Sequence, residues 1–197
     1  MAQARVLTEK ELSLLLLFIN TKKHAARDRA IVLMTHLAGM RVGEVAAINL
    51  ENILTKEGEL RTEVRLSAKQ TKGKHARTVV ISNKLIREIK QYLLSRFEVK
   101  KLNEISDTEF DKPLFYTQKR NGFTANTLCY HLHMLYKAAG LTGASSHSGR
   151  RHFITNLSKK GVALRTMMEL AGHRQAQTTM RYVDVTDDMK RAAVELL

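Results

Sequence analysis

A mainly α-helical domain (α+β by class) with one small antiparallel sheet is the fold the sequence predicts. Apolar residues recur at helical spacing along most of the chain, and strict alternation is confined to the stretch between Leu60 and Ser82. Helix breakers are scarce, with ten glycines and a single proline, Pro113, in 197 residues. That length suits one ordinary domain with a real core, and neither an internal repeat nor a low-complexity linker divides it.

The elements follow in order. Thr8 and Glu11 fit a capping box, and Leu12, Leu15, Leu16 and Ile19 then share a helix face. A second helix is expected from Asp28 to about Leu37 and a third from about Arg41 to Leu50. Val64 and Leu66 alternate with charged residues, as do Val79 and Ile81 with their neighbours, so two strands form a hairpin whose basic tip holds Gly73. Asn83 is a suitable cap for a helix carrying Leu85, Ile86, Ile89, Leu93 and Phe97 on one side. The polar stretch from Val99 to Pro113 is expected to be irregular. Further helices are expected over Ala125–Ala138, His147–Lys159, Leu164–Ala171 and Gln175–Val183, with a terminal one from Asp187.

Lys and Arg number 33 against 19 Asp and Glu, a formal charge of +14. With a pI near 10.1, this points to a polyanionic partner, nucleic acid before an acidic membrane surface. Apolar residues at 44 % exclude a mainly disordered basic tail. Cys129 alone excludes an internal disulfide and a multi-thiolate zinc site. The apolar run Leu12–Ile19 is too short to span a bilayer and has the wrong flank for a signal peptide, so a cytoplasmic chain without a membrane partner is expected. HExxH, Walker, CxxC and GxSxG patterns are all missing, and His131 and His133 are too poorly spaced on a helix to pair on a metal. No cofactor and no metal is expected.

What remains is an ordered set of basic and hydroxyl groups. Arg41 precedes Glu44 by three residues, a spacing at which the carboxylate can hold the guanidinium. Lys72 stands at the hairpin tip with Lys69 and Lys74 near it. His147 and Arg150 share a helical face, His173 follows Gly172, and Tyr182 lies nine residues further on. In this order, and with Leu37–Glu44, His147–Phe153 and Leu170–Tyr182 as local context, the chain resembles the tyrosine recombinase (phage integrase) family. The resemblance covers roughly Leu7 to Tyr182. Gly149 departs from the pattern, which more often carries leucine there.

The resemblance implies a tyrosine-recombinase catalytic fold and site-specific DNA strand breakage and rejoining through a 3′-phosphotyrosine, without metal or nucleotide. Tyr182 is the implied nucleophile, with Tyr130 and Tyr136 as rivals by type but not by context. Arg41 and Arg150 would clamp the phosphoryl oxygens, since a guanidinium offers a fixed fork of donors that lysine does not. Lys72 would protonate the leaving 5′-oxygen, although Lys69 or Lys74 could take that place if the tip slides. His147 would assist proton removal from Tyr182, His173 would donate to the phosphate, and Glu44 would support Arg41. Arg65, Lys69, Lys74, Arg77 and Arg151 are expected on the DNA backbone. The partner implied is double-stranded DNA, bound by a homo-tetramer that is monomeric when free. A single catalytic domain over 1–197 is expected, without the helical core-binding domain that commonly precedes it: either a naturally short recombinase or the catalytic half of a longer one. The helix after Tyr182, with Ala192, Ala193, Leu196 and Leu197, is expected to dock on a neighbouring protomer or on its own domain. A non-enzymatic DNA-binding regulator or architectural protein, and a ribonuclease using His147 and His173, are the competing readings. The first explains the charge but not the ordered series.

Overall fold

A computed structural model describes residues 4–71, 75–119, 121–183 and 187–195, the side chains of 188, 189 and 192 excepted. The chain forms helices α1 (Glu9–Asn20), α2 (Ala25–Leu37), α3 (Val42–Ala46), α4 (Asn83–Phe97), α5 (Ala125–Ala138), α6 (Ser148–Lys159), α7 (Leu164–Ala171), α8 (Ala176–Met180) and α9 (Asp187–Val194). Strands β1 (Glu63–Leu66) and β2 (Arg77–Val80) pair antiparallel with Val64 opposite Val79. The mainly helical class with a two-stranded sheet is therefore as expected. None of the described helices is long and apolar enough to cross a membrane.

α2 is the axis of the core. It packs on α1, α4 and α6, so Ala30, Ile31, Val32, Leu33 and Met34 are buried all the way round rather than along one stripe. α1 begins at the expected Thr8–Glu11 capping box. α4 is capped by Ser82, one residue before the expected Asn83, which is its first helical residue.

Two helices around the site are shorter than their apolar spacing suggests. α3 ends at Ala46 instead of near Leu50, because Ile48 offers its carbonyl to the Leu114 amide (2.8 Å) and Asn49 bridges Pro113. A short 3₁₀ turn over Leu50–Asn52 follows. α8 stops at Met180 because the Tyr182 amide bonds back to Thr179 (2.9 Å) and that of Val183 to Met180 (3.1 Å), tightening the last turn. Tyr182 thus projects from a turn rather than from the expected helix. α6 starts at Ser148 with His147 as its N-cap residue. Every side chain described on α9 is exposed; Leu196 and Leu197 lie outside the described residues.

Candidate active site

The sharp reversal after α2 places Arg41 at the N-cap of α3 in extended backbone, which aims its amide and its side chain at Glu44. The Arg41 amide donates to Glu44 Oε2 at 2.8 Å and Nη1 donates to Oε1 at 3.0 Å. Glu44 is 1 % exposed. Arg77, from β2, completes the set: Nε donates to Oε1 at 3.1 Å and Nη2 to Oε2 at 2.7 Å. Burial would by itself raise this carboxyl, but bonds and charge from Arg77 and then Arg41 outweigh it and hold Glu44 ionised below the usual range.

The C-terminal turn of α7 gathers the arginines. Its carbonyls lack intrahelical partners and carry the negative end of the helix dipole. Leu170 O accepts from Arg77 Nη1 (3.0 Å), Ala171 O from Arg150 Nη2 (2.5 Å) and Gly172 O from Arg41 Nη2 (3.4 Å). Arg150 reaches this turn from α6, buried, with Nη1 on Gly39 O (2.5 Å). Burial, and then the like charges of Arg41 and Arg77, push its guanidinium down to about 9, still protonated at neutral pH. Gly172 caps α7 in left-handed backbone at φ +64°, and a Cβ there would lie 2.6 Å from Arg77 Cδ. Only glycine satisfies both conditions.

His173 leaves that turn half-buried, with Nδ1 2.9 Å from the hydroxyl of Thr179, which is fully buried. Burial, then the charges of Arg150, Arg41 and Arg77, push its imidazole down to about 4. The Tyr182 ring stacks beside it, centroids 6.0 Å apart at 18°, and the Arg151 guanidinium, from α6, lies 5.3 Å from the phenol ring centroid. Thr155 donates to the Tyr182 carbonyl at 3.3 Å, tying the turn to α6.

The structure therefore brings together Arg41, Glu44, Arg150, His173, Tyr182 and Arg151. His147 is exposed one turn before Arg150, and among the described residues its side chain bonds to none of these groups. Lys72 and Lys74 lie outside the described residues. The hairpin beneath them is seated by Gln70, whose Nε2 donates to Ala47 O (2.8 Å) and Asn52 Oδ1 (2.9 Å), and is closed by Thr71 Oγ1 donating to His75 O (2.7 Å). Arg65 and Lys69 are exposed and border the same shallow groove as Asn49 and Gln70.

Arg77, expected on a DNA backbone, is instead turned inward with its guanidinium nitrogens engaged by Glu44 and Leu170. The physical reason is strand alternation, which puts residue 77 on the same face as the buried Val79. Gly149, the departure from the family pattern, sits where α6 crosses α2. A Cβ there would lie 2.1 Å from Thr35 Oγ1 and 2.7 Å from His36 Nδ1, so polar side chains of α2 fill the volume a leucine would take. Thr179 and the α7 carbonyls escaped sequence reading. Thr179 carries the signal of standing six residues after His173, but a backbone carbonyl has no sequence signature.

Residues 5–189 match the model of the phage integrase family. The tyrosine recombinase XerA of Pyrococcus furiosus is 30 % identical over 193 residues, covering 96 % of this chain and 60 % of the relative. The tyrosine recombinase XerC of Myxococcus xanthus is 30 % identical over 161 residues, covering 81 % and 51 %. The chain thus spans little more than half the length of these relatives. Its fold is similar to a crystal structure of XerA recombinase (TM-score 0.75, 22 % identity, 100 % of this chain and 66 % of that one). It is also similar to the XerH site-specific recombinase bound to difH substrate before cleavage (TM-score 0.68, 22 % identity, 96 % and 53 %). At such identity these two likenesses speak for the fold alone.

Proposed function

This chain belongs to the phage integrase family, and from that premise we propose that it breaks and rejoins DNA strands at a specific site through a covalent phosphotyrosine. The observation that carries this reading is the α7 turn. It aligns Arg41 and Arg150 on adjacent carbonyls and sets His173, with Tyr182 stacked on it, immediately after them.

In this reading Tyr182 Oη attacks the scissile phosphorus. The bond from phosphorus to the phenolic oxygen forms, the bond to the 5′-oxygen breaks, and the phosphodiester energy is kept in the new ester. The phenolic proton passes to His147, which stands at the mouth of α6, and the leaving 5′-oxygen takes a proton from Lys72. Arg41 and Arg150 face the charge that gathers on the non-bridging oxygens; preorganised donors of this kind are typically worth about 10²–10³ in rate. Both are held by carbonyl and carboxylate partners before substrate arrives, so little reorganisation remains to be done. We assign the Thr179 hydroxyl as donor to Nδ1, the tautomer in which the neutral His173 ring carries its proton on Nε2 and serves as a hydrogen-bond donor to the phosphate rather than a base. Attack by the 5′-hydroxyl of a second strand reverses the chemistry and releases Tyr182.

Double-stranded DNA is the partner in this reading, and a structural neighbour, the Tn1549 transposon integrase, is in complex with a circular intermediate DNA. We read residues 1–197 as one catalytic domain, of which four copies act on two duplexes. The exposed side chains of α9, Val194 at 67 %, favour docking of that helix on a neighbouring copy.

The test is a trap. A random-sequence duplex pool carrying a nick a few nucleotides 3′ of the position attacked loses the short fragment that bears the freed 5′-hydroxyl and leaves the protein attached. The chain should yield a protease-sensitive protein–DNA adduct, and Tyr182→Phe should yield none. An adduct that survives Tyr182→Phe removes Tyr182 as nucleophile, whereas binding without any adduct favours a DNA-binding regulator. RNA cleavage independent of Tyr182 favours a ribonuclease.

A further inference from the structure

All three guanidinium nitrogens of Arg77 are engaged inside the protein. Nε and Nη2 take the two oxygens of Glu44, Nη1 takes Leu170 O, and the side chain is 10 % exposed. Each Glu44 oxygen is shared with Arg41: Oε1 lies between Arg77 Nε and Arg41 Nη1, and Oε2 between Arg77 Nη2 and the Arg41 amide. The orientation of one carboxylate thus sets both the backbone and the guanidinium of Arg41. The Arg77 side chain also packs on the face of Gly172, the residue that turns α7 into His173.

We infer that Arg77 is a positioning residue that locks Arg41, through Glu44, to the turn that carries Arg150 and His173, and that it makes no phosphate contact itself. The assignment rests on the strand-transfer reading above and adds a residue to it. The arrangement calls for arginine by geometry. A planar fork can take both carboxylate oxygens and a carbonyl at once, whereas an ammonium is a single point of donation. It also links the hairpin to the chemistry, because Arg77 is the first residue of β2 and the basic tip lies just before it. Displacement of β2 by an ångström would be passed through Glu44 to Arg41, and misplacement of that size typically costs about 100-fold in rate.

The test separates positioning from contact with DNA. Single-turnover adduct formation at saturating DNA is measured on a nicked duplex recovered from the random-sequence trap, for the unmodified chain, Arg77→Ala and Arg77→Lys. Binding to random duplex is measured in parallel across a salt series. Both variants should form adduct about 100-fold more slowly. Their dependence of log K on log salt should match that of the unmodified chain, and methylguanidinium ion should restore part of the rate to Arg77→Ala. Arg77→Lys keeps the charge and gives the rate where Arg77→Ala melts early, while the salt slope is read on Arg77→Ala below its melting temperature. Adduct formation at the unmodified rate in Arg77→Lys overturns the assignment. So does a salt slope reduced by about one, the mark of a phosphate that the side chain had been neutralising. An unmodified chain that forms no adduct removes the strand-transfer reading itself, and the role of Arg77 with it.

Discussion

His173 is pressed in one direction by everything around it. Burial penalises its imidazolium, and Arg150, Arg41 and Arg77 repel it, so the ring is driven down to about 4. A nuclear magnetic resonance titration of the DNA-free protein should place its midpoint near that value. Arg150→Gln, which removes the largest charge acting on it, should move the midpoint upward. A midpoint at the ordinary histidine value of about 6.5 would show that the ring is neither buried nor crowded by the three arginines. The expected sign matters for the chemistry: at neutral pH His173 is uncharged and can donate, and it gains charge only well into acid. Histidine and arginine types were legible in the sequence because family context surrounds them. The inward turn of Arg77 was legible only through strand alternation with Val79, a signal overridden by the general expectation that a basic hairpin faces DNA. Thr179 stands six residues after His173, but that spacing gains meaning only once the fold turns its hydroxyl onto the imidazole.

Where α6 crosses α2, backbone and side chain are packed too closely for any residue but glycine at 149. Gly149→Ala should destabilise the fold by about 1–3 kcal/mol, as overpacking of a filled interior does, and chemical denaturation can measure it. The same crossing buries His36 completely, beside His152, and burial pushes its imidazole down to about 3. Its folded value is depressed below the ordinary one. The stability it preserves is therefore complete above about pH 6.5 and is lost as the pH falls toward 3, with a limiting slope of about 1.4 kcal/mol per pH unit. Urea midpoints at pH 7, 5.5 and 4.5 should decline accordingly, and His36→Gln should flatten that decline. Element existence was well legible: the bounds of α5 and α7 coincide with the apolar spacing, and the hairpin register follows its alternation. Ends set by distant chain were not. α3 stops where Ile48 and Asn49 pair with Pro113 and Leu114, and nothing within residues 41 to 50 announces that partner. α8 stops at a tightened turn that frees Tyr182 from the helix, and helical spacing alone cannot register it.

At the scale of the molecule the charge of +14 divides by direction. Arg77 and Arg150 point inward and spend their donors on Glu44 and backbone carbonyls, while Arg65 and Lys69 remain exposed along the groove beside α3 and the hairpin neck. The outward class neutralises phosphates other than the scissile one, so it should set most of the salt dependence of binding. Each phosphate neutralised contributes a slope of about −0.9 in log K against log salt. Arg65→Gln combined with Lys69→Gln should therefore lower the slope by about two, roughly one for each phosphate left without its cation. Fluorescence anisotropy with a labelled random duplex between low and physiological salt measures this directly. If the double variant kept the original slope, the groove beside α3 would not be where the backbone runs. If the slope falls as expected while the adduct rate per bound complex is unchanged, holding the duplex and acting on its phosphate belong to separate sets of basic residues.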